Sequence, residues 1–180
     1  LMAARAKRHE RTVARESALA LLYSSDITDE SVADIVDAGQ YPADDIEFAP
    51  YAEALVRGVQ AHRAEIDERL SSTSENWTLD RMPVVDRAIL RLAVYEMIYV
   101  DEVPVSVTIN EAVELAKAYG GEDDSSRFVN GVLGRIAAGI DAEASSEVAD
   151  SAQGSNVEDT EVSSEVADDE ILEGSEPKED

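Results

Sequence analysis

Between residues 8 and 140 the apolar side chains recur every three or four positions, and no alternating stretch is longer than VPVSVTI at 103–109. A period near 3.6 lines up side chains along one side of a helix, whereas a half-buried strand needs a period of two. The chain is therefore expected to be all-α, a compact bundle of about six or seven helices. Residues 8–24 carry Val13, Ala14, Leu19, Leu21 and Leu22 at helical spacing. SVADIVDAG at 31–39 reads as a short helix with Ser31 as its N-cap and Gly39 past its end. A longer helix is predicted over 47–70, with Phe48, Leu55, Val59, Ile66 and Leu70 on one side. The next begins with Pro83 at its first position and carries Val85, Ile89, Leu92 and Ile98, until Val103-Pro104 breaks it.

The sequence TINE at 108–111 has the capping-box pattern, which predicts a helix start at Thr108 with Glu111 reaching back. That helix should end at Gly120-Gly121, where glycine can take the left-handed conformation. The last helix is predicted from Ser126 to about Ile140, with Phe128, Val132 and Ile136 on one row and Val129 and Leu133 on the next. Gly131 and Gly134 within it would let another helix approach closely. GVLG resembles a phosphate-clamping GxxG in spelling only, because that motif needs a loop and this one lies in a helical pattern.

Charge divides the chain. Residues 1–15 hold Arg5, Lys7, Arg8, Arg11 and Arg15 against Glu10. From Asp141 to Asp180 there are 15 acids and one base, Lys178, within a chain whose formal net charge is −25. This terminal segment has no aromatic residue and repeats SSEVAD at 145–150 and 163–168. It cannot bury enough apolar surface to offset its chain entropy, so 141–180 reads as a disordered acidic tail behind a folded 1–140. Its simplest role is solubilisation; the alternative is an internal mimic of nucleic acid that competes for the basic start.

Several chemistries are excluded. No cysteine is present, so there is no disulfide or thiolate site. The two histidines, His9 and His62, are isolated and read as surface residues, and no serine sits in a nucleophile setting. No catalytic constellation emerges, and no metal or cofactor is expected. The richest apolar run, AILRLAVYEMIYV at 88–100, is interrupted by Arg91 and Glu96 and falls short of the ~18 residues of a membrane span. No secretory h-region is apparent, so the default is a soluble cytoplasmic protein without a membrane partner.

Two stretches point to binding. Lys7, Arg8, Arg11 and Arg15 share one helical face near a helix N-terminus, where cations oppose the macrodipole. A bound polyanion would reverse that penalty. In GGEDDSSRF at 120–128, Arg127 and Phe128 follow a polar, acidic loop. A guanidinium and a ring can stack on unpaired bases, as in single-stranded RNA recognition. A bland alternative stands beside this: a frayed basic terminus, a surface arginine and a core phenylalanine on a helical protein–protein adaptor.

AKRHERTVARESALALLY at 6–23, VVDRAILRLAVYEM at 84–97, VPVSVTINEAVELAKAYGGED at 103–123 and RFVNGVLGRI at 127–136 resemble the NusB transcription antitermination family. The resemblance spans roughly 3–140 and leaves the tail outside. It implies an all-helical fold in two packed subdomains and no catalytic activity. It further implies binding of single-stranded boxA RNA of ribosomal RNA leader transcripts together with the ribosomal protein NusE, within an antitermination complex on RNA polymerase that supports ribosomal RNA synthesis. Carried over by position, the RNA contacts would be Lys7, Arg8, Arg11, Arg15, Arg127, Phe128 and either Asp123 or Asp124. The loop is one residue longer than the family pattern, which leaves the aspartate open. Tyr23 and Asp86 would face NusE. Apolar helix faces leave a homodimer open.

Overall fold

The computed structural model describes residues 2–39, 49–73, 78–121 and 124–154, with side chains over 5–146 within those ranges. Among them are seven α-helices, one 3-10 turn at Leu79–Arg81, and no strand. The helices are α1 (Met2–Thr28), α2 (Val32–Asp37), α3 (Pro50–Ala61), α4 (Arg63–Thr73), α5 (Val84–Tyr99), α6 (Val105–Tyr119) and α7 (Ser125–Gly154). None is long and apolar enough to cross a membrane. The chain separates into two compact units, Leu1–Ala144 and Ser145–Asp180.

The sequence signals explain most of these starts and stops. Ser31 caps α2, its Oγ accepting from the Ala33 N–H at 3.2 Å, and Gly39 closes the turn at φ 65°. Asp29 ends α1 at φ 60°, a conformation that short polar side chains tolerate. The predicted 47–70 helix is instead two, α3 and α4, with His62 between them at φ −107°, ψ 15°. Its imidazole stacks on Tyr99, ring centroids 3.9 Å apart. Phe48 lies outside the described residues.

The capping-box expectation at Thr108 is corrected. α6 begins at Val105 behind Pro104, so Thr108 sits one turn inside. Its hydroxyl donates to the Glu96 carboxylate at 2.7 Å and its side chain is buried. Glu111 likewise turns away from the helix start and receives Thr12 and Arg15 of α1. Tertiary partners compete with the local cap and win, because they neutralise a buried carboxylate and the cap does not.

Glycine roles also differ from expectation. Gly120 ends α6 at φ −57°, not left-handed; a Cβ there would overlap the Ala116 carbonyl and Ser125. A Cβ at Gly131 or Gly134 would meet nothing within 4 Å, and both glycines lie exposed, so no helix of the described residues packs there. α7 runs on to Gly154, past the end predicted near Ile140. DAEAS is rich in helix formers, and Glu143 pairs with Arg69 of α4 at 3.1 Å. The remainder of the expected tail, 155–180, lies outside the described residues.

Helix α5 is the centre. Ala88, Ile89, Leu90, Leu92, Ala93, Val94 and Met97 are all buried, so it is apolar on nearly every side. α1, α3, α4 and α6 pack on it. Buried residues of all seven helices feed one apolar cluster. α3 approaches α5 closely at Gly58, where a Cβ would overlap the Tyr95 ring. Gly58→Ala should therefore destabilise the fold by about 1–3 kcal/mol through overpacking, read as a lower urea midpoint at unchanged m.

Candidate nucleic-acid interface

The basic face of α1 is sorted by depth. Lys7 and Arg8 are exposed, Arg11 is half-buried, and Arg15 is only 4% exposed. Arg8 has no carboxylate partner among the described residues, in a chain with 40 acids against 15 bases. Arg11 Nη2 lies 2.6 Å from Glu102 Oε2, and its guanidinium sits 4.9 Å from the centroid of the Tyr51 ring. Lys7 Nζ reaches the same Glu102 oxygen at 3.9 Å.

Arg15 does not belong to the exposed set, which corrects the sequence expectation. Its Nε donates to Glu96 Oε1 at 2.9 Å, and its Nη1 lies 3.2 Å from Glu111 Oε2. Helical spacing puts Arg15 on the basic face, but the same turn of α1 is covered by α5 and α6, and only burial distinguishes the two situations. Glu96, 2% exposed, also accepts from the Thr108 hydroxyl and from the Tyr51 phenol. One carboxylate thus ties α1, α3, α5 and α6 together, with donors on both oxygens. Buried charge is tolerated only when paired and hydrogen-bonded in this way.

A second set of charges joins the helices further along. Arg91 forks onto both oxygens of Asp67, at 2.7 and 2.9 Å, and reaches Asp26 Oδ2 at 2.8 Å. Arg63 and Arg87 also bond Asp26.

The other expected patch is built at the start of α7. Arg127 is 86% exposed on its side chain and pairs with Asp124 at 3.3 Å, one turn back. Phe128 is half-buried and packs against the core with part of its ring uncovered. The other candidate aspartate, Asp123, lies outside the described residues. Ser125 Oγ donates to Asp86 Oδ2 at 2.9 Å, which docks the α7 start on the first turn of α5.

Asp86, expected to face a partner, has a buried side chain in this structure: it is 2% exposed, and its Oδ1 has no hydrogen-bond partner among the described residues. Its position in the first turn of α5 carried no sign of burial, because the cover comes from α7, distant in sequence. Tyr23 is 40% exposed on α1 and shares a side with exposed Val13 and Ile27.

The two cationic patches do not converge on one point. Arg11 meets Glu102 in the turn before α6, while Ser125 abuts Gly120 at the far end of α6. α6 has 15 residues, so about 22 Å of helix separates them. Such a span suits an extended strand of several nucleotides and is too wide for one small anion. Sequence reasoning missed Tyr51, Glu96 and Glu102. Only Glu96 left a visible signal, as a charge inside an apolar run.

Arg15→Ala should cost about 3–5 kcal/mol by leaving Glu96 buried and undercompensated, whereas Arg8→Ala should stay within about 0.5 kcal/mol; urea midpoints separate the two. Burial and the bond to Glu96 raise the Tyr51 phenol above its ordinary range. The folded chain thus holds that proton more tightly than the unfolded one. The resulting stability is complete below about pH 10 and is lost as pH climbs through the folded value. Denaturant titrations should show the advantage of wild type over Tyr51→Phe narrowing above about pH 10.

Residues 12–138 match the model of the NusB family. The Transcription antitermination protein NusB of Bacillus subtilis is 45% identical over 132 residues, covering 73% of this chain and 98% of the relative. That of Anaeromyxobacter sp. is 49% identical over 136 residues, covering 74% and 94%. Among solved structures, T. maritima NusB superposes with TM-score 0.63 at 37% identity, covering 71% of this chain and 89% of that one. A crystal structure of antitermination factors NusB and NusE in complex with dsRNA superposes with TM-score 0.59 at 28% identity, covering 72% and 96%.

Proposed function

The chain belongs to the NusB family, and from that premise we propose that it is a non-catalytic transcription antitermination factor. It holds the boxA element of ribosomal RNA leader transcripts as a single strand, together with the ribosomal protein NusE, and so helps assemble an antitermination complex on RNA polymerase. The observation that carries the RNA reading is Arg8, a cation left without a carboxylate partner among the described residues of a strongly acidic chain, beside exposed Lys7. The overall field repels RNA, so binding depends on this local patch. Support for RNA and NusE as partners also comes from relatives named as antitermination proteins and from a neighbouring structure that contains NusB, NusE and dsRNA.

Lys7, Arg8 and Arg11 take phosphates at one end. At the other, Arg127 and the uncovered part of Phe128 stack on bases, with Asp124 beside them. Arg15 acts through position: it anchors the turn of α1 that presents the others. NusE docks on the side of α1 that carries Tyr23, and each partner tightens the other reciprocally.

Binding of short boxA RNA against a scrambled RNA, with and without NusE, tests this. The expected outcome is selective binding strengthened by NusE, with log affinity falling against log salt at a slope of about −2 to −3. Arg8→Glu should weaken RNA binding by about tenfold at low salt with an unchanged helical circular dichroism signal. A flat salt dependence without selectivity would leave the protein–protein adaptor.

A further inference from the structure

The turn between α5 and α6 places a carboxylate where an RNA phosphate would have to sit. Glu102 Oε2 receives Arg11 Nη2 at 2.6 Å and Lys7 Nζ at 3.9 Å, so two cations one helical turn apart converge on a single oxygen. Arg11 is not free to swing elsewhere. Its side chain is 19% exposed and the guanidinium lies over Tyr51. Arg11 is therefore the fixed member, whereas the Glu102 side chain is 71% exposed and Lys7 66% exposed, so the carboxylate can leave Arg11 and the lysine can follow an incoming anion.

We propose that Lys7 and Arg11 form a phosphate seat and that Glu102 is its resident competitor, a carboxylate that an RNA phosphate displaces on binding. This rests on the RNA reading above. Carboxylate and phosphate oxygens accept the same charge-assisted hydrogen bonds, so one can replace the other without rearranging the donors. Two cations face one carboxylate, which leaves the seat net positive and open to an incoming anion. An exposed ion pair of this kind holds weakly, so displacement is easy for a polyanion anchored elsewhere and hard for a single small anion. Arg127, at the far end of α6, supplies such an anchor. Glu102 would thereby set affinity and favour strands long enough to hold both ends.

The salt dependence carries the signature. In wild type, a phosphate reaches the seat only by displacing Glu102, so part of the attraction goes into breaking that ion pair. Glu102→Gln keeps the side chain's shape and removes its charge. The phosphate then meets both cations with no carboxylate to displace and no like charge beside it. The variant should bind short single-stranded boxA RNA about three- to tenfold more tightly at low salt, with a steeper salt slope because one screened like charge beside the RNA is gone. The gain should shrink as salt rises, and it should vanish in the Glu102→Gln/Arg11→Gln double variant.

The decisive experiment is RNA titration at several salt concentrations of wild type, Glu102→Gln, the double variant and Arg8→Glu. Equal affinity and slope for wild type and Glu102→Gln, with Arg8→Glu still weakened, would overturn the competitor and leave the RNA reading standing. Absence of RNA binding by wild type and Glu102→Gln alike, at low salt and with NusE present, would overturn both.

Discussion

Helix α1 is keyed to α5 by two ion pairs of opposite sense. Arg15 of α1 meets Glu96 of α5, and Asp26 of α1 meets Arg91 of α5. Eleven residues separate the α1 partners and five the α5 partners, so the two helices run antiparallel with their register marked at two points. A slipped or reversed α1 would bring like charges together inside the core, where each would stand uncompensated. Apolar burial supplies the drive to pack, but it is nearly indifferent to register, and charge is not. Thr108, Tyr51 and Glu111 join the first pair, and Asp67, Arg63 and Arg87 the second, so nearly every helix around α5 is referred to one of them.

That register determines what α1 presents to solvent. With Arg15 held inward, Arg11 falls at the rim, where Tyr51 and Glu102 steady it, and Lys7 and Arg8 fall outside. A second constraint acts at the other end of α6. Gly120 and the Asp86–Ser125 bond fix where α7 begins, and hence where Arg127 and Phe128 stand. The spacing between the patches is then the length of α6 itself, a rigid spacer.

Much of this was legible beforehand. The helical period located the apolar rows of α1, α5 and α7, and Ser31 and Gly39 bounded α2 as their chemistry requires. The exposed Lys7, Arg8 and Arg127 were also readable, because a cation with no apolar role has little reason to be buried. Where the reading failed, a distant partner had overruled a local rule. Thr108 and Glu111 have the spelling of a cap, yet both serve the buried charges of α1 and α5. Arg15 has the spacing of a surface cation, yet Glu96 draws it inside. Asp86 is covered by α7.

The sequence by itself determined the helical class, the apolar rows and the location of the cationic residues along the chain, because period and composition are properties of neighbours. Only the tertiary structure decided which cations are anchors and which are contacts. Arg8, Arg11 and Arg15 share one chemistry and one helical face, and they differ in what α5, α6 and Tyr51 place beside them. Their electrostatic worth depends on burial and on carboxylates nearly a hundred residues away, a distance that no local pattern spans.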